Sequence, residues 1–387
     1  MNPPRKMIHT LWYGGRGGSG GYIRYLNGVL ASAAGPSGIR VTLVCSPSLP
    51  KELGPLDSAV RVITVPALDN AISAQWWERM HFSSFVRELR PDLLFYPSGS
   101  LGRFPAEVPV VAACHNLLYF DDTEYTKYRY SRIWWRNLRR LRHRLRVSYP
   151  QAGGIIFTSM YSQQIAAGKV TGIKRWIVIP NGVEASFQAD GPTPTIDRPP
   201  RNVLYVSTVT MYKHQWNVVK AIRQLRESTG EDYQLWLAGG ADLLGMRKLE
   251  HTLEKEQAHS FTHLLGEVSH NAAPAVYRKA DIFVFASSCE AFGITLLEAM
   301  ASGLPVACSN RTGLPDLLRD GGVYFDPEDC AGIASAIARL SADRVMRREY
   351  VKRAMSYARE YTWLRSAQST FDFLREVAVT ARDQRAA

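Results

Sequence analysis

Along the chain, short apolar blocks bounded by Gly, Pro, Asn and Ser alternate with longer stretches in which apolar residues recur at helical spacing. Blocks at 6–12, 39–45, 60–65, 92–96, 108–113, 153–159 and 175–180 read as strands, and blocks at 202–207, 233–239, 262–266 and 281–286 repeat the pattern. Between them the spacing predicts helices, including one over 75–89 and one after Lys213 with Val218, Val219, Ile222 and Leu225 on one face. Strands alternating with helices predict parallel, doubly wound sheets, whose ligands bind beyond the carboxyl ends of the strands. The loops that follow strands therefore carry the candidate chemistry.

The most informative such loop is 287–305, directly after the apolar block 281–286. Glu290 and Glu298 stand eight positions apart among apolar or small residues. Phe292-Gly293 separates strand from helix, 294–302 has helical composition, and Gly303 with Pro305 stops it. Were the whole interval helical it would span roughly 12 Å. Two carboxylates so placed cannot share one proton or one metal. They can hold the two ends of an elongated ligand, and the helix N-terminus between them suits a phosphate. Leu296, Leu297, Met300 and Leu304 leave little polar surface there, which argues against two merely solvated acids. The same acids, with Gly and Pro, exclude a transmembrane reading of 281–308.

Other strand ends add candidates. After the first block comes Gly15-Arg16-Gly17-Gly18-Ser19-Gly20-Gly21, which satisfies the dinucleotide fingerprint between a strand and a helix, although Ser-Pro-Ser after 39–45 supplies no ribose-binding acid. A nicotinamide-dependent enzyme is thus one alternative, and a loop that is simply glycine-rich another. Cys114-His115-Asn116 falls at the end of the block 108–113, where His115 is either structural or functional. Lys213 lies between a strand and a helix, where a lysine can meet a diphosphate as a point charge. Residues 127–146 hold nine Lys/Arg and no acid, with Trp134, Leu138, Leu141 and Leu145 forming an apolar stripe. That pattern predicts a basic amphipathic helix suited to an anionic bilayer, or one whose stripe packs on its own domain while the arginines stay solvated.

At 387 residues the chain suits two domains, and 46% hydrophobic with 21% charged residues is ordinary for a globular protein. The net charge of +12 implies an anionic partner: nucleic acid, an acidic substrate or a membrane surface. No nucleic-acid motif accompanies the basic stretch, so no nucleic acid is expected. The five cysteines form no C-x-x-C and no zinc spacing with His, and read as buried reduced thiols. No Asp-x-Asp occurs, so a metal-bridged diphosphate is not indicated, and outside the nicotinamide alternative no metal or cofactor is expected. The N-terminus has no signal-like apolar run, which predicts a cytoplasmic protein without a membrane span.

Glu290-x7-Glu298, with Phe-Gly between and Glu-Ala-Met-Ala-Ser-Gly-Leu-Pro-Val after it, resembles the donor-site signature of family-4 retaining glycosyltransferases of the GT-B fold. The likeness covers about 8–375 and is densest from Val203 onward. It implies two Rossmann-like domains with parallel sheets facing a central cleft. The domains expected are an acceptor-binding domain over 1–185, a linker over 186–202, a nucleotide-sugar domain over 203–365, and a last helix over 366–387 crossing back to the first domain. By similarity Glu290 contacts the donor sugar, Glu298 the nucleotide ribose, and Phe292, Gly293, Ile294 and Thr295 the sugar and phosphate. His115 corresponds to a histidine near the reacting centre, Gly20 and Gly21 to a cleft-rim loop, and Gly266 to a turn near the base. The family's phosphate loop carries an arginine and a lysine five residues apart; Lys213 matches the lysine, whereas Thr208 replaces the arginine.

The resemblance implies a nucleotide-sugar donor, with GDP-mannose favoured by likeness to mannosyltransferases of polysaccharide assembly. It further implies front-face retention and a glycan or lipid-linked acceptor in surface polysaccharide synthesis. With the basic stretch, the expected location is peripheral, on the inner face of the membrane. Thr208 keeps a non-catalytic nucleotide-sugar binder as a further alternative.

Overall fold

The computed structural model describes residues 7–16, 20–31, 38–99, 101–102, 104–192, 196–269 and 271–386. The chain divides into two units, one formed by Met1–Asp121, Ser131–Gly182 and Thr362–Ala387, the other by Asp122–Tyr130 and Val183–Tyr361.

Among the described residues of the first unit, seven parallel strands lie in the order β3-β2-β1-β4-β5-β6-β7. They are β1 (Ile8–Gly15), β2 (Ile39–Cys45), β3 (Val60–Thr64), β4 (Leu93–Tyr96), β5 (Val110–Cys114), β6 (Gly154–Phe157) and β7 (Trp176–Val178). The central strands β4, β5 and β6 are buried throughout, which is why they read as continuous apolar runs rather than alternating ones. The last helix, Trp363–Ala386, belongs to this unit. Its Trp363 explains two glycines: a Cβ on Gly28 would lie 2.0 Å from the indole, and one on Gly182 would lie 2.1 Å from the Trp363 nitrogen.

Among its described residues the second unit holds six parallel strands in the order β10-β9-β8-β11-β12-β13. These are β8 (Asn202–Val206), β9 (Gln234–Ala238), β10 (Thr262–Gly266), β11 (Ile282–Phe285), β12 (Val306–Ser309) and β13 (Val323–Phe325). Apart from β7, each sheet runs out from its first strand, returns past it and continues on the other side. The reversal lies between β1 and β4 in one unit and between β8 and β11 in the other. Such a reversal opens a crevice at the strands' carboxyl ends.

Two helical expectations change. The helix expected over 75–89 is two helices, Ala71–Met80 and Phe82–Leu89, broken at His81. The break turns the buried Phe82 against Tyr13 and Tyr96, with ring centroids 4.9 and 6.4 Å apart. The basic stretch 127–146 is likewise not one helix. Lys127–Tyr130 forms a 3-10 turn belonging to the second unit, and the α-helix Arg132–Ser148 starts afresh in the first, capped by the Ser131 hydroxyl. Lys127 is drawn out of the helix by ion pairs of 2.8 Å to Glu124 and 2.9 Å to Glu328. On the helix, Leu138 and Leu145 are buried whereas Ile133 and Trp134 are exposed.

Candidate functional site

At the reversal point of the second sheet, the loop after β8 meets the loop after β11. The first loop runs from Ser207 to the helix Gln215–Thr229 and contains Lys213, only 9% exposed. The second contains Glu290, whose carboxylate forms an ion pair with the Lys213 ammonium. The ammonium also lies 5.3 Å from the Tyr212 ring centroid and 5.1 Å from that of Phe285, so aromatic faces replace much of its lost hydration. Removing one partner of so enclosed a pair would strand the other charge.

Several contacts hold the Lys213 loop. The buried Tyr205 hydroxyl donates to the Lys213 carbonyl, and the Ser288 N–H donates to the Tyr212 carbonyl at 2.8 Å. His214 adopts a left-handed conformation (φ 51°) and its Nε2 lies 2.8 Å from the Ser288 hydroxyl. Burial first, then the charges of Lys127, Lys248 and Arg311 against the opposing Glu328, lower the His214 pKa to about 4. The ring is neutral at pH 7. Thr208 is exposed, and its carbonyl accepts from the Gln215 side chain at 3.1 Å.

Beyond Glu290, Gly293 has φ 100° and caps the helix Ile294–Ala301. A Cβ there would approach Leu314 to 2.8 Å, so both conformation and space require glycine. Phe292 is buried, its ring 5.6 Å from that of Tyr361. Ile294 and Thr295 open the helix, where the first-turn N–H groups have no partner within the helix. Glu298, one turn in, is 2% exposed and accepts from the Tyr277 hydroxyl at 2.8 Å; the same hydroxyl lies 3.3 Å from the Thr295 carbonyl. Lys213, Glu290, Phe292, Gly293, Ile294, Thr295 and Glu298 thus occupy two adjoining loops and one helix. Gly266 ends β10 at the outer edge of the same row, where its carbonyl accepts from the Gly239 N–H at 2.7 Å. Tyr277, Tyr205, Ser288 and Tyr128, which anchor these groups, were not singled out in the sequence. Their partners are 21, 8, 74 and 82 positions away, and no local spacing signals them.

His115 belongs to the first unit. Its ring packs on Tyr25 at 4.3 Å between centroids, and burial lowers its pKa to about 4, partly offset by a hydrogen bond to the Pro97 backbone. Pro97 offers only a carbonyl, and Nε2 is buried with no hydrogen-bond partner among the described residues, so Nδ1 is the nitrogen that donates to Pro97. In the glycine loop, Gly15 closes β1 at φ 58° and Gly20 and Gly21 begin the helix Gly20–Leu30. Residues 17–19, the middle of the fingerprint, lie outside the described residues. Among the described residues, no cluster of three His, Cys, Asp or Glu side chains could hold a metal ion, and no helix is long and apolar enough to cross a membrane.

Residues 189–359 match the family described as glycosyl transferases group 1, and residues 16–187 match glycosyltransferase family 4. Over 164 residues the chain is 31% identical to O-antigen chain mannosyltransferase B of Escherichia coli, covering 41% of this chain and 42% of that one. Over 138 residues it is 33% identical to phosphatidyl-myo-inositol mannosyltransferase of Mycobacterium leprae, covering 34% and 35%. The matched segments thus span less than half of these curated relatives. Among solved structures, sucrose-phosphate synthase from Thermosynechococcus elongatus superposes with a TM-score of 0.76 at 19% identity, covering 97% of this chain and 100% of that one. WaaG, a glycosyltransferase involved in lipopolysaccharide biosynthesis, gives 0.71 at 17% identity, covering 95% and 99%. Anabaena HepE, solved with UDP-glucose, gives 0.72 at 19%, covering 95% and 100%.

Proposed function

We propose that this chain, a member of the family-4 glycosyltransferases of the GT-B fold, transfers a sugar from a nucleotide-sugar donor bound at the reversal point of its second sheet. The observation that carries this reading is the enclosed Lys213–Glu290 ion pair beside the N-terminus of the helix Ile294–Ala301. Without donor, the two charges neutralise each other. An incoming diphosphate offers Lys213 a new anionic partner and leaves Glu290 to accept from sugar hydroxyls. The first-turn N–H groups of the helix supply further donors to the phosphates. The glycosyl–oxygen bond then breaks with its electron pair leaving on the diphosphate, while the acceptor hydroxyl oxygen bonds to the anomeric carbon and its proton passes to the departing diphosphate oxygen; the charge that develops there is what Lys213 and the helix stabilise. Glu298 receives the ribose, held in place by Tyr277. No metal is assigned to the reaction.

Front-face retention follows from the family resemblance, and an inverted product by NMR would refute it. GDP-mannose is the preferred donor and a glycan or lipid-linked acceptor the preferred substrate, on the likeness to O-antigen chain mannosyltransferase B. On the family resemblance, His115 is proposed to serve the transfer as a neutral imidazole near the reacting centre. A peripheral position on an anionic membrane is proposed from the helix Arg132–Ser148, whose Arg132, Arg136, Arg139, Arg140 and Arg146 are exposed along with Ile133 and Trp134. Equal binding to anionic liposomes after Arg132, Arg136, Arg139 and Arg140 are changed to Ser would refute that part.

Calorimetric titration with GDP, UDP, dTDP and NAD in metal-free buffer, repeated on Glu298→Ala, tests the donor site. The expected result is selective binding of one nucleoside diphosphate, weakened at least tenfold in the variant. Binding of NAD alone, or nucleotide binding indifferent to Glu298, would overturn the reading.

A further inference from the structure

The chain enters the second unit first at Asp122–Tyr130, well before the main body of that unit begins at Val183. This short strap leaves the first unit soon after β5 and His115. Its anchors are specific. Tyr128 is 2% exposed, and its hydroxyl lies 2.9 Å from the hydroxyl of Thr210, itself 6% exposed. Lys127 ties the strap to Glu328 at the start of the segment following β13. Thr210 stands in the middle of the loop after β8, between Thr208 and Lys213.

That loop contains no glycine, and an uncharged threonine occupies position 208. Its one cation is Lys213, so the placement of a bound diphosphate depends on how firmly this backbone is held. Tyr205 fixes its far end and Ser288 its side. Thr210, at its middle, is held by Tyr128.

We propose that Tyr128 is a positioning residue of the donor site, fixing the Lys213 loop through Thr210 from a strap contributed by the first half of the sequence. The inference rests on the donor-site reading above. Tyr128 touches no reacting atom. It keeps the loop in its diphosphate-binding geometry, so its loss relaxes the loop without removing any charge.

The test measures nucleoside diphosphate affinity by calorimetry and donor KM and kcat for Tyr128→Phe, Thr210→Val, the double variant and Thr210→Ser. Each of the first two should weaken binding and raise KM by about three- to tenfold, the scale of one buried hydrogen bond, with kcat within about twofold of wild type. The double variant should be no worse than either single one, because both remove the same bond. Thr210→Ser should restore wild-type affinity. Wild-type affinity in Tyr128→Phe, losses that multiply in the double variant, or no rescue by serine would each overturn the proposal. Glu298→Ala, titrated alongside, separates the two levels. If it weakens binding while Tyr128→Phe does not, only this inference fails; if it too has no effect, the donor site itself fails.

Discussion

The turn after β1 and the turn after β8 occupy the same place in two sheets of like order, yet their sequences are of opposite kinds. The first is made of glycines, from Gly14 and Gly15 to Gly20 and Gly21, with Arg16 its only charge. The second contains no glycine from Ser207 to His214 and is secured by side chains from several elements: Tyr205, Ser288, Gln215 and Tyr128. Glycine lets a backbone approach a ligand closely but leaves it conformationally permissive. A loop secured by side chains gives up that freedom and holds one charged group in a set place. The difference teaches that topology selects where a ligand can bind, while the local chemistry decides whether the position is adaptable or preorganised. It also weakens the dinucleotide reading, since that fingerprint needs an acid after the second strand, and β2 ends at Cys45 and is followed by Ser46.

The strongest way to break this comparison is to remove the charge that the second turn presents. Lys213→Ala should lower kcat/KM by about a hundredfold or more, the scale seen when one transition-state donor is lost. Steady-state kinetics would check it, and activity within threefold of wild type would show that the turn is not preorganised for phosphate.

Acid titration probes both units at once, because each holds a histidine whose pKa burial lowers: His115 after β5 and His214 before the helix Gln215–Thr229. The His115 and His214 pKa values are lowered to about 4 from 6.5. Above pH 6.5 each ring is neutral whether the chain is folded or unfolded. Between 6.5 and 4 only the unfolded chain takes up the proton, so stability falls as pH falls through that window and levels off below it. At pH 5 the loss is about 1–2 kcal/mol per histidine. Thermal melts at pH 7 and pH 5 should show a lower midpoint at pH 5, and His115→Gln should reduce the difference. An unchanged midpoint in the wild type would contradict the assignment of neutral, buried rings.

The smallest effect is expected from making the second turn resemble the first. His214→Gly relieves a left-handed conformation costing about 1–2 kcal/mol and loses a buried hydrogen bond worth about 1 kcal/mol. Stability should therefore change little, while nucleotide affinity falls modestly because the turn gains freedom. Tighter nucleotide binding in this variant would reverse the argument.

Much of this was legible in the residues themselves. Buried strands announced themselves as apolar runs, and Gly293 and Gly303 marked the limits of the helix between them because only glycine readily takes the positive φ found there, 100° and 72°. The interval from Glu290 to Glu298, and Lys213 after a strand, located the candidate chemistry because loop and helix signals act within a few residues. The break at His81 was not legible, since helical spacing continues through it and only the packing of Phe82 against Tyr13 forces the turn. Nor was the fate of 127–146, where basic residues continue across a boundary at which the chain changes unit.

Local signals, carried by backbone preferences and side-chain periodicity, were therefore enough to determine the α/β class, the strands from β1 to β11 and the positions of both carboxylates, but not β12 and β13. Only the tertiary structure decided that Glu290 pairs with Lys213, that Tyr277 underpins Glu298, and that Tyr128 reaches Thr210. Those partners lie 77, 21 and 82 positions apart. At such separations the chain's own covalent geometry imposes no proximity, and which groups meet is settled by how strands order themselves in the sheet and which buried polar atoms must find partners.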